Sequence, residues 1–168
     1  MNKKMEQAFN AHLNAEFYSS YLYLAMANGF TAKNLDGMAS WMRIQAEEER
    51  MHAMKFLDFI NQRGGRVALQ QIDQPPLDWA APLEAFQQAY GHEIEISNKI
   101  NALVDLATKE GDHAAVNFLQ WFVSEQVEEE ANALAIVDKL KMIGDNLMGI
   151  LMVDAQLGQR TAAPAGGE

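Results

Sequence analysis

Four glutamates interrupt four otherwise apolar patterns in this sequence. Glu16, Glu49, Glu93 and Glu129 each lie near the middle of a segment whose apolar residues recur every three or four positions. His52 follows Glu49 by about one helical turn, which places both side chains on the same face of a helix. If the four segments are helices packed on their apolar faces, the carboxylates are buried together. A like-charged pair about 4 Å apart costs about 4 kcal/mol at an effective dielectric constant of about 20, so protons or cations must relieve the repulsion.

The chemistry that suits these side chains is the binding of divalent metal ions. Two divalent ions balance the four negative charges, and several carboxylates with one imidazole favour Fe(II) or Mn(II) over structural zinc. The sequence has no cysteine, which excludes disulfides, thiolate zinc sites, rubredoxin-type iron centres and cysteine nucleophiles. Oxidation of two irons with uptake of one oxide ion leaves the total charge unchanged. Reaction with O₂ is therefore a feasible hypothesis.

Prolines and glycines divide the chain into the helices that must position these acids. Prolines inside the chain occur only at 75, 76 and 82, so long helices can form on either side of this region. The first predicted helix covers residues 3–29, and Thr31 and Asn34 are candidate caps for the second. The second ends at residues 64–65, Pro82 begins the third, residues 111–112 separate the third from the fourth, and the fourth ends near residue 144.

The connection over residues 64–81 lacks helical periodicity and is long enough to run the full length of the helices. With short turns near residues 32 and 111, this predicts an all-α fold: a four-helix bundle over 3–143, one long crossover connection, and a short fifth C-terminal helix over 145–157. Residues 1–158 form one domain and residues 159–168 a flexible tail. Glu16 and Glu49 are nearly equidistant from the first turn, as are Glu93 and Glu129 from the second. All four acids are therefore expected at matching levels.

The charge of the chain limits its partners. Its 168 residues carry a formal net charge of −10, with 23 acidic and 13 basic residues. This balance argues against nucleic acid, because binding to phosphates requires clustered Lys and Arg. No apolar run has the length of a signal peptide or of a membrane span, so we expect a cytoplasmic protein without a membrane partner.

Three motifs identify a family resemblance that spans nearly the whole chain. They are Glu16-x-Tyr18-Ser19-Ser20, Glu47-Glu48-Glu49-Arg50-Met51-His52, and the run from Asn117 to Gln126 followed by Glu128-Glu129-Glu130. Together they resemble the non-haem bacterial ferritins. The resemblance implies an iron-storage subunit with a ferritin-like fold that binds Fe(II), oxidises it with O₂ or H₂O₂, and stores a ferric mineral inside a hollow homo-oligomeric shell of 24 subunits.

The resemblance also implies ligands for two irons at a ferroxidase centre in each subunit. Glu16, Glu49 and His52 would hold one iron, while Glu49, Glu93 and Glu129 would hold the other, with Glu49 as the bridge. Gln126 would lie beside the second iron, and Tyr23 and Trp121 would be redox-capable aromatic neighbours. A third, weaker iron position on the cavity side would use the acids Glu48, Glu125, Glu128 and Glu129.

Two departures refine this resemblance. Gln126 and Glu129 stand where symmetric di-iron bundles and bacterioferritins have Glu-x-x-His, so the two iron positions are expected to differ in affinity. Arg50 stands where bacterioferritins place their haem-ligating methionine, and we expect no haem. The role of His52 is to supply one neutral ligand, and an imidazole of ordinary pKa predicts that iron oxidation fails below about pH 6.

Several side chains keep two interpretations. Glu48, Glu125 and Glu128 fit a cavity-side iron site or an ordinary solvated face, and Tyr23 and Trp121 fit packing or redox roles. Glu47 and Glu130 are expected to be solvated, and His12, His92 and His113 to be exposed. The fifth helix either caps one bundle or lines fourfold contacts. The competing functions are a rubrerythrin-like peroxidase or small di-iron oxidase, a DNA-protecting mini-ferritin or metal buffer, and a purely structural bundle.

Overall fold

The computed structural model describes residues 1–162 and contains five α-helices in that range. The helices are α1 (Lys3–Ala32), α2 (Asp36–Gln62), α3 (Pro82–Lys109), α4 (His113–Ile143) and α5 (Leu147–Leu157). The predicted all-α bundle with a fifth C-terminal helix is confirmed. No helix among the described residues combines the length and apolarity needed to cross a membrane.

Most helix ends follow the predicted turn chemistry. Gly64 and Gly111 adopt a left-handed backbone (φ 66°) just after α2 and α3, a conformation that glycine adopts without a steric penalty. Pro82 is the first residue of α3, and the Asp112 side chain accepts a hydrogen bond from the Ala115 amide to cap α4.

The predicted cap of α2 was wrong. Thr31 lies inside α1, where its hydroxyl donates to the Ala27 carbonyl, and Asn34 adopts a left-handed backbone (φ 57°) in the turn. The N-cap position is Leu35, whose side chain makes no capping hydrogen bond. Instead, the Asp154 carboxylate of α5 accepts from the Met38 amide at 2.8 Å. A carboxylate at this position also interacts favourably with the positive end of the helix dipole.

Two apolar clusters fill the two ends of the bundle. The cluster named here after Phe30 includes Phe30, Met42, Phe86, Ile136 and Leu140, and the cluster named after Phe56 includes Phe9, Phe56, Ile100, Leu119 and Phe122. Helices α1 and α4 run from the Phe56 cluster to the Phe30 cluster, while α2 and α3 run the opposite way. Because α2 and α3 are parallel, the chain between them must return along the whole bundle.

This connection, residues 63–81, is attached along α1. At one end the Asn10 side chain bonds the backbone of Arg66 and Ala68 at 3.0 and 2.7 Å. At the other end Lys33 pairs with Asp78 at 2.9 Å, and the buried ring of Trp79 lies against Gly29. Backbone and side-chain hydrogen bonds with α1 therefore replace the secondary structure that this long segment lacks.

The fifth helix docks on the start of α2. Val153 and Leu157 join the Phe30 cluster, and Gly37 lies directly against the backbone carbonyl of Asp154. A β-carbon at position 37 would lie 1.8 Å from that carbonyl oxygen. Only glycine allows this close approach of α2 to α5.

Substitution of Gly37 by alanine is expected to displace α5 and to lower the free energy of unfolding by about 3 kcal/mol, because a β-carbon here overlaps backbone atoms. Thermal unfolding of the metal-free protein measures the effect. Gly91→Ala is the matched control, since nothing lies within 4 Å of a β-carbon there, and it should stabilise α3 by about 0.5–1 kcal/mol. An unchanged melting temperature for Gly37→Ala would contradict the docking geometry.

The start of the predicted flexible tail is held by side-chain contacts. Arg160 pairs with Glu48, donates to Gln45 at 2.8 Å, and stacks on the Trp41 ring at 4.6 Å. These contacts attach Arg160 to the bundle, and the flexibility of residues 159–162 stays a prediction. The rest of that expectation, over residues 163–168, lies outside the described residues.

Candidate metal centre

A layer of polar side chains separates the two apolar clusters. Each of the four long helices contributes one glutamate to it between a residue of the Phe30 cluster and a residue of the Phe56 cluster. The side chains of Glu16, Glu49, Glu93 and Glu129 are 1%, 2%, 1% and 6% exposed, and His52 is 5% exposed. The acids are thus buried at one level of the bundle, where their charges interact at low effective dielectric constant.

Glu16, Glu49 and His52 offer the tightest set of ligand atoms. One ligand atom from each lies within 4.8 Å of the other two, and no other group of three His, Asp or Glu residues in the described chain meets this condition. His52 Nδ1 lies 3.2 Å from Glu49 Oε2. Two carboxylates and an imidazole at this separation can hold a divalent ion without a rearrangement of the backbone.

The other half of the layer is tied together by hydrogen bonds. Tyr23 donates its hydroxyl proton to Glu93, and Gln126 Nε2 donates to Glu93 Oε2 at 3.1 Å. Gln45 connects the two halves, because its amide Nε2 donates to Glu49 Oε1 at 3.0 Å and to Glu129 Oε2 at 2.8 Å. Gln45 was assigned no role from the sequence.

Burial and mutual repulsion shift the acid–base properties of this layer. Burial, followed by the charges of Glu49 and Glu129, raises the pKa of Glu93 well above its ordinary value. Burial and the Glu49 charge likewise raise the pKa of Glu129 to about 7, although the Gln45 hydrogen bond opposes the shift. Burial and the Glu93 charge raise the pKa of Tyr23 well above 10.0, which keeps its hydroxyl protonated as a donor.

In the half of the layer that contains Glu16, Glu49 and His52, the pKa of His52 is raised and that of Glu16 is lowered. Burial would lower the pKa of His52, but its hydrogen bond to Glu49 and the charges of the nearby glutamates raise it to about 9. Burial would raise the pKa of Glu16, but its interaction with His12 and the charge of His52 lower it. The metal-free layer therefore holds its excess protons on His52, Glu93 and Glu129.

The donor set at Glu16 fits a metal ion. Among the described residues, Glu16 Oε2 and His12 Nδ1 are the buried side-chain atoms without a hydrogen-bond partner. A buried carboxylate oxygen loses its solvation without compensation unless a cation or donor approaches it. Since Glu16 belongs to the same cluster as Glu49 and His52, a divalent ion held by that cluster could supply the missing partner.

Two histidines that were expected to be exposed are buried beside the centre. His12 is 3% exposed and its Nε2 lies 2.8 Å from Glu16 Oε1, while His92 Nε2 lies 2.7 Å from the Ser19 hydroxyl. The expectation was wrong for both and correct for His113, which is exposed. The spacing of His12 four residues before Glu16, which places both on one helix face, was the signal that could have identified the first contact.

The acids assigned to a third iron position do not form a tight group. No three of these described residues bring ligand atoms within 4.8 Å of one another. Glu48 and Glu125 are half-buried and Glu128 is exposed, whereas Glu129 belongs to the buried layer. Glu47 is exposed and pairs with Arg50, and half-buried Glu130 accepts a hydrogen bond from Ser97. The solvated interpretation holds for Glu47, whereas Glu130 is only partly exposed to solvent.

Trp121 lies at the edge of the layer. Its ring centroid is 5.3 Å from that of His52, its side chain is 39% exposed, and the Lys55 ammonium lies 3.0 Å above its ring. The ring therefore covers His52 and carries a cation on its outer face. These contacts give Trp121 a packing role and leave its redox role as a hypothesis.

Comparisons with known proteins identify the family to which the chain is similar. The ferritin family, described as a ferritin-like domain, matches residues 6–143. A bacterial non-heme ferritin of Bacteroides fragilis (strain 638R) is 45% identical over 160 residues, which span 95% of this chain and 99% of the relative. That of Campylobacter jejuni (serotype O:2) is 37% identical over 154 residues, which span 92% of each protein. An open-pore ferritin from the hyperthermophilic archaeon Archaeoglobus fulgidus superposes with a TM-score of 0.95 at 49% identity, with 96% of this chain and 99% of that chain covered.

Proposed function

The chain belongs to the ferritin family, and from this premise we propose that it is a cytoplasmic iron-storage subunit that oxidises Fe(II) and keeps the ferric product as a mineral. The observation that carries the proposal is the buried layer of four glutamates with His52. A purely structural bundle gives no reason for four buried acids at one level. The near full-length similarity to bacterial non-heme ferritins favours storage over the rival oxidase, peroxidase and DNA-protecting functions.

Two Fe(II) ions bind in each subunit as substrates. We assign one to Glu16, Glu49 and His52 and the other to Glu49, Glu93 and Glu129, with Glu49 between them and Gln126 beside the second. The unpartnered Glu16 Oε2 and the tight grouping of the first three side chains support the first position. The second position has carboxylate ligands alone, and the pKa of both Glu93 and Glu129 is raised, so we expect it to bind more weakly at neutral pH.

Protein groups prepare this centre by holding and releasing protons. His52 must lose a proton to bind a metal, and the Glu49 carboxylate 3.2 Å from its Nδ1 stabilises the protonated ring until metal binding releases that proton to solvent. Tyr23 keeps Glu93 oriented toward the layer through its hydroxyl hydrogen bond. When two irons are oxidised, each loses one electron, and the pair of electrons with two protons reduces O₂ to H₂O₂, or H₂O₂ to two waters.

One experiment tests oxidation, storage and assembly together. Metal-free protein is mixed with a few Fe(II) per chain in air, then with several hundred, while Fe(III) absorbance, iron retained by the particle and particle mass are recorded. We expect rapid oxidation of about two irons per chain, followed by a soluble particle that retains the excess iron. Oxidation no faster than in protein-free buffer, or iron that precipitates outside the particle, would refute the proposal.

An exposed apolar surface formed by α5 and the end of α4 supports assembly into a shell. Met142, Leu147, Met148 and Met152 are 79%, 67%, 68% and 71% exposed, while the opposite side of α5 packs on α2. Exposed apolar side chains grouped in this way are typical of protein interfaces. We propose that they contact further copies of the chain in a homo-oligomer of 24 subunits.

Replacement of Leu147 and Met148 by glutamate is expected to reduce the particle to smaller oligomers, because the charges would be buried in contacts between copies. Native mass spectrometry measures the particle mass. The double variant Leu69→Glu/Leu77→Glu, at two exposed positions of the crossover connection, shows whether any exposed apolar surface has this effect. An intact 24-subunit particle in the α5 variant would exclude this surface from assembly.

A further inference from the structure

Arg160, beyond the end of α5, reaches the polar surroundings of the metal centre. Its Nη2 donates to Glu48, its Nη1 donates to Gln45 Oε1 at 2.8 Å, and its guanidinium stacks on the Trp41 ring at 4.6 Å. The side chains of Arg160 and Glu48 are 21% and 15% exposed. The ion pair is therefore shielded from solvent, unlike the exposed pair of Arg50 with Glu47 on the neighbouring turn.

The contact with Arg160 fixes the orientation of the Gln45 amide. Because Gln45 Oε1 accepts from the guanidinium, its Nε2 must point toward Glu49 and Glu129, to which it donates at 3.0 and 2.8 Å. The flipped amide would place its NH₂ group against the guanidinium and its oxygen against two carboxylates. Gln45 is 1% exposed, so no bulk water compensates for that mismatch.

The same guanidinium is hydrogen-bonded to Glu48, a carboxylate that we assign to the third iron position. Glu48 lies beside Glu49, and its Oε2 is bonded by Arg160 in the metal-free protein. An iron ion that binds Glu48 must compete with a positive charge already placed there. When Arg160 moves away from Glu48, Gln45 loses the partner that fixes the orientation of its amide. The hydrogen bonds from Gln45 to Glu49 and Glu129 are then weakened as well.

We propose that Arg160 is a positioning residue that acts as an internal cation at Glu48, so that the pair site fills before the cavity-side position. Filling of the cavity-side position releases Arg160 and frees the Gln45 amide. The C-terminal segment thereby links the two kinds of iron site. This inference rests on the proposed function and on the third iron position expected from the family resemblance, and it adds the order in which the metal sites fill.

The test uses Zn(II), which binds without oxidation, in calorimetric titrations of the assembled metal-free protein. Arg160→Met removes the charge and keeps a side chain that can pack on Trp41, while Arg160→Lys restores the charge. We expect the third equivalent of Zn(II) to bind about tenfold more tightly to Arg160→Met than to the wild type, because a charged hydrogen bond no longer competes. The first two equivalents should bind to Arg160→Met about two- to threefold more weakly, because the Gln45 amide that donates to Glu49 and Glu129 is no longer fixed, and Arg160→Lys should restore weaker third binding. Arg50→Met, at the exposed pair, should leave all affinities unchanged.

The emission of Trp41, obtained as the difference between wild type and Trp41→Phe, reports release of the guanidinium independently of iron oxidation. We expect it to change only with the third equivalent, and to be insensitive to that equivalent in Arg160→Met. Third-site affinity that is equal in wild type and Arg160→Met, or a third site absent from both, would overturn the proposal. Equal weakening of all three equivalents would also overturn it, because that indicates a general structural role. Failure of the first two equivalents to bind in the wild type would instead refute the pair site of the proposed function.

Discussion

Replacement of Glu49 by glutamine is expected to slow the rapid oxidation of Fe(II) by about 100-fold or more, since even groups beyond the ligands often contribute 10- to 100-fold at metal sites. Glu49 is the one acid assigned to both irons, and its two oxygens contact His52 and Gln45, the side chain that connects the two halves of the layer. The amide keeps the shape of the side chain and removes its charge. Stopped-flow absorbance after mixing with two Fe(II) per chain measures the effect.

Glu47→Gln is the matched control, because Glu47 lies two residues before Glu49 on the same helix, is exposed, and pairs with Arg50. It should oxidise iron at the wild-type rate. In the metal-free Glu49 variant the pKa of His52 should fall below about 9, since the Glu49 hydrogen bond and charge that raise it are gone. Wild-type oxidation by Glu49→Gln, with an unchanged iron stoichiometry, would remove Glu49 from the centre.

The level of the four acids could be predicted because helical periodicity and turn positions determine it together. Periodicity places Glu16 and Glu93 among apolar core positions, and the glycine at 111 sets the turn from which Glu93 and Glu129 are equally distant. Proline and glycine spacing gave the crossover connection in the same way. These are properties of the local chain, and local chemistry determines them.

The contacts that sequence reasoning missed arise between elements that are far apart in the chain. His92 is buried because Ser19 of α1 faces it across the bundle, and the pairing of Arg160 with Glu48 requires α5 to dock on α2. Asp154 replaces a local cap for α2 through the same docking. Neither periodicity nor turn chemistry specifies which helix faces another, so these partners required coordinates.

The pH range of metal binding also depends on coordinates. The predicted loss of iron oxidation below about pH 6 assumed an ordinary pKa for the His52 imidazole. That assumption is wrong, because the surrounding carboxylates raise the pKa of His52 to about 9. The pKa of Glu129 is raised to about 7. Both groups hold protons at neutral pH in the metal-free protein and must release them to bind iron. We therefore expect metal affinity to rise between about pH 6.5 and 9, and binding at pH 7 to release more than one proton per chain.

The stability of the metal-free protein should change in the opposite direction over the same range. A group whose pKa is raised by folding stabilises the folded state below its unfolded pKa, and this contribution is lost as the pH rises through the folded pKa. For His52 the loss extends from about pH 6.5 to about 9, and for Glu129 it extends from about pH 4.5 to about 7. Each shift corresponds to a loss on the order of 3 kcal/mol. His92, whose pKa is lowered by burial, acts in the opposite sense, but its contribution is complete slightly above pH 6.5.

Thermal unfolding between pH 6.5 and 9, with and without saturating Zn(II), tests this linkage. The melting temperature of the metal-free protein should fall as the pH rises, whereas that of the loaded protein should not, because bound cations replace the lost protons. Titrations in two buffers of different ionisation enthalpy count the protons released. Glu129→Gln should reduce the fall in the melting temperature of the metal-free protein near pH 7, since residue 129 then no longer titrates. If the stability of the metal-free protein instead increases from pH 6.5 to 9, protonation of His52 and Glu129 does not stabilise the layer. That result would refute the proposal that cations replace these protons when iron binds.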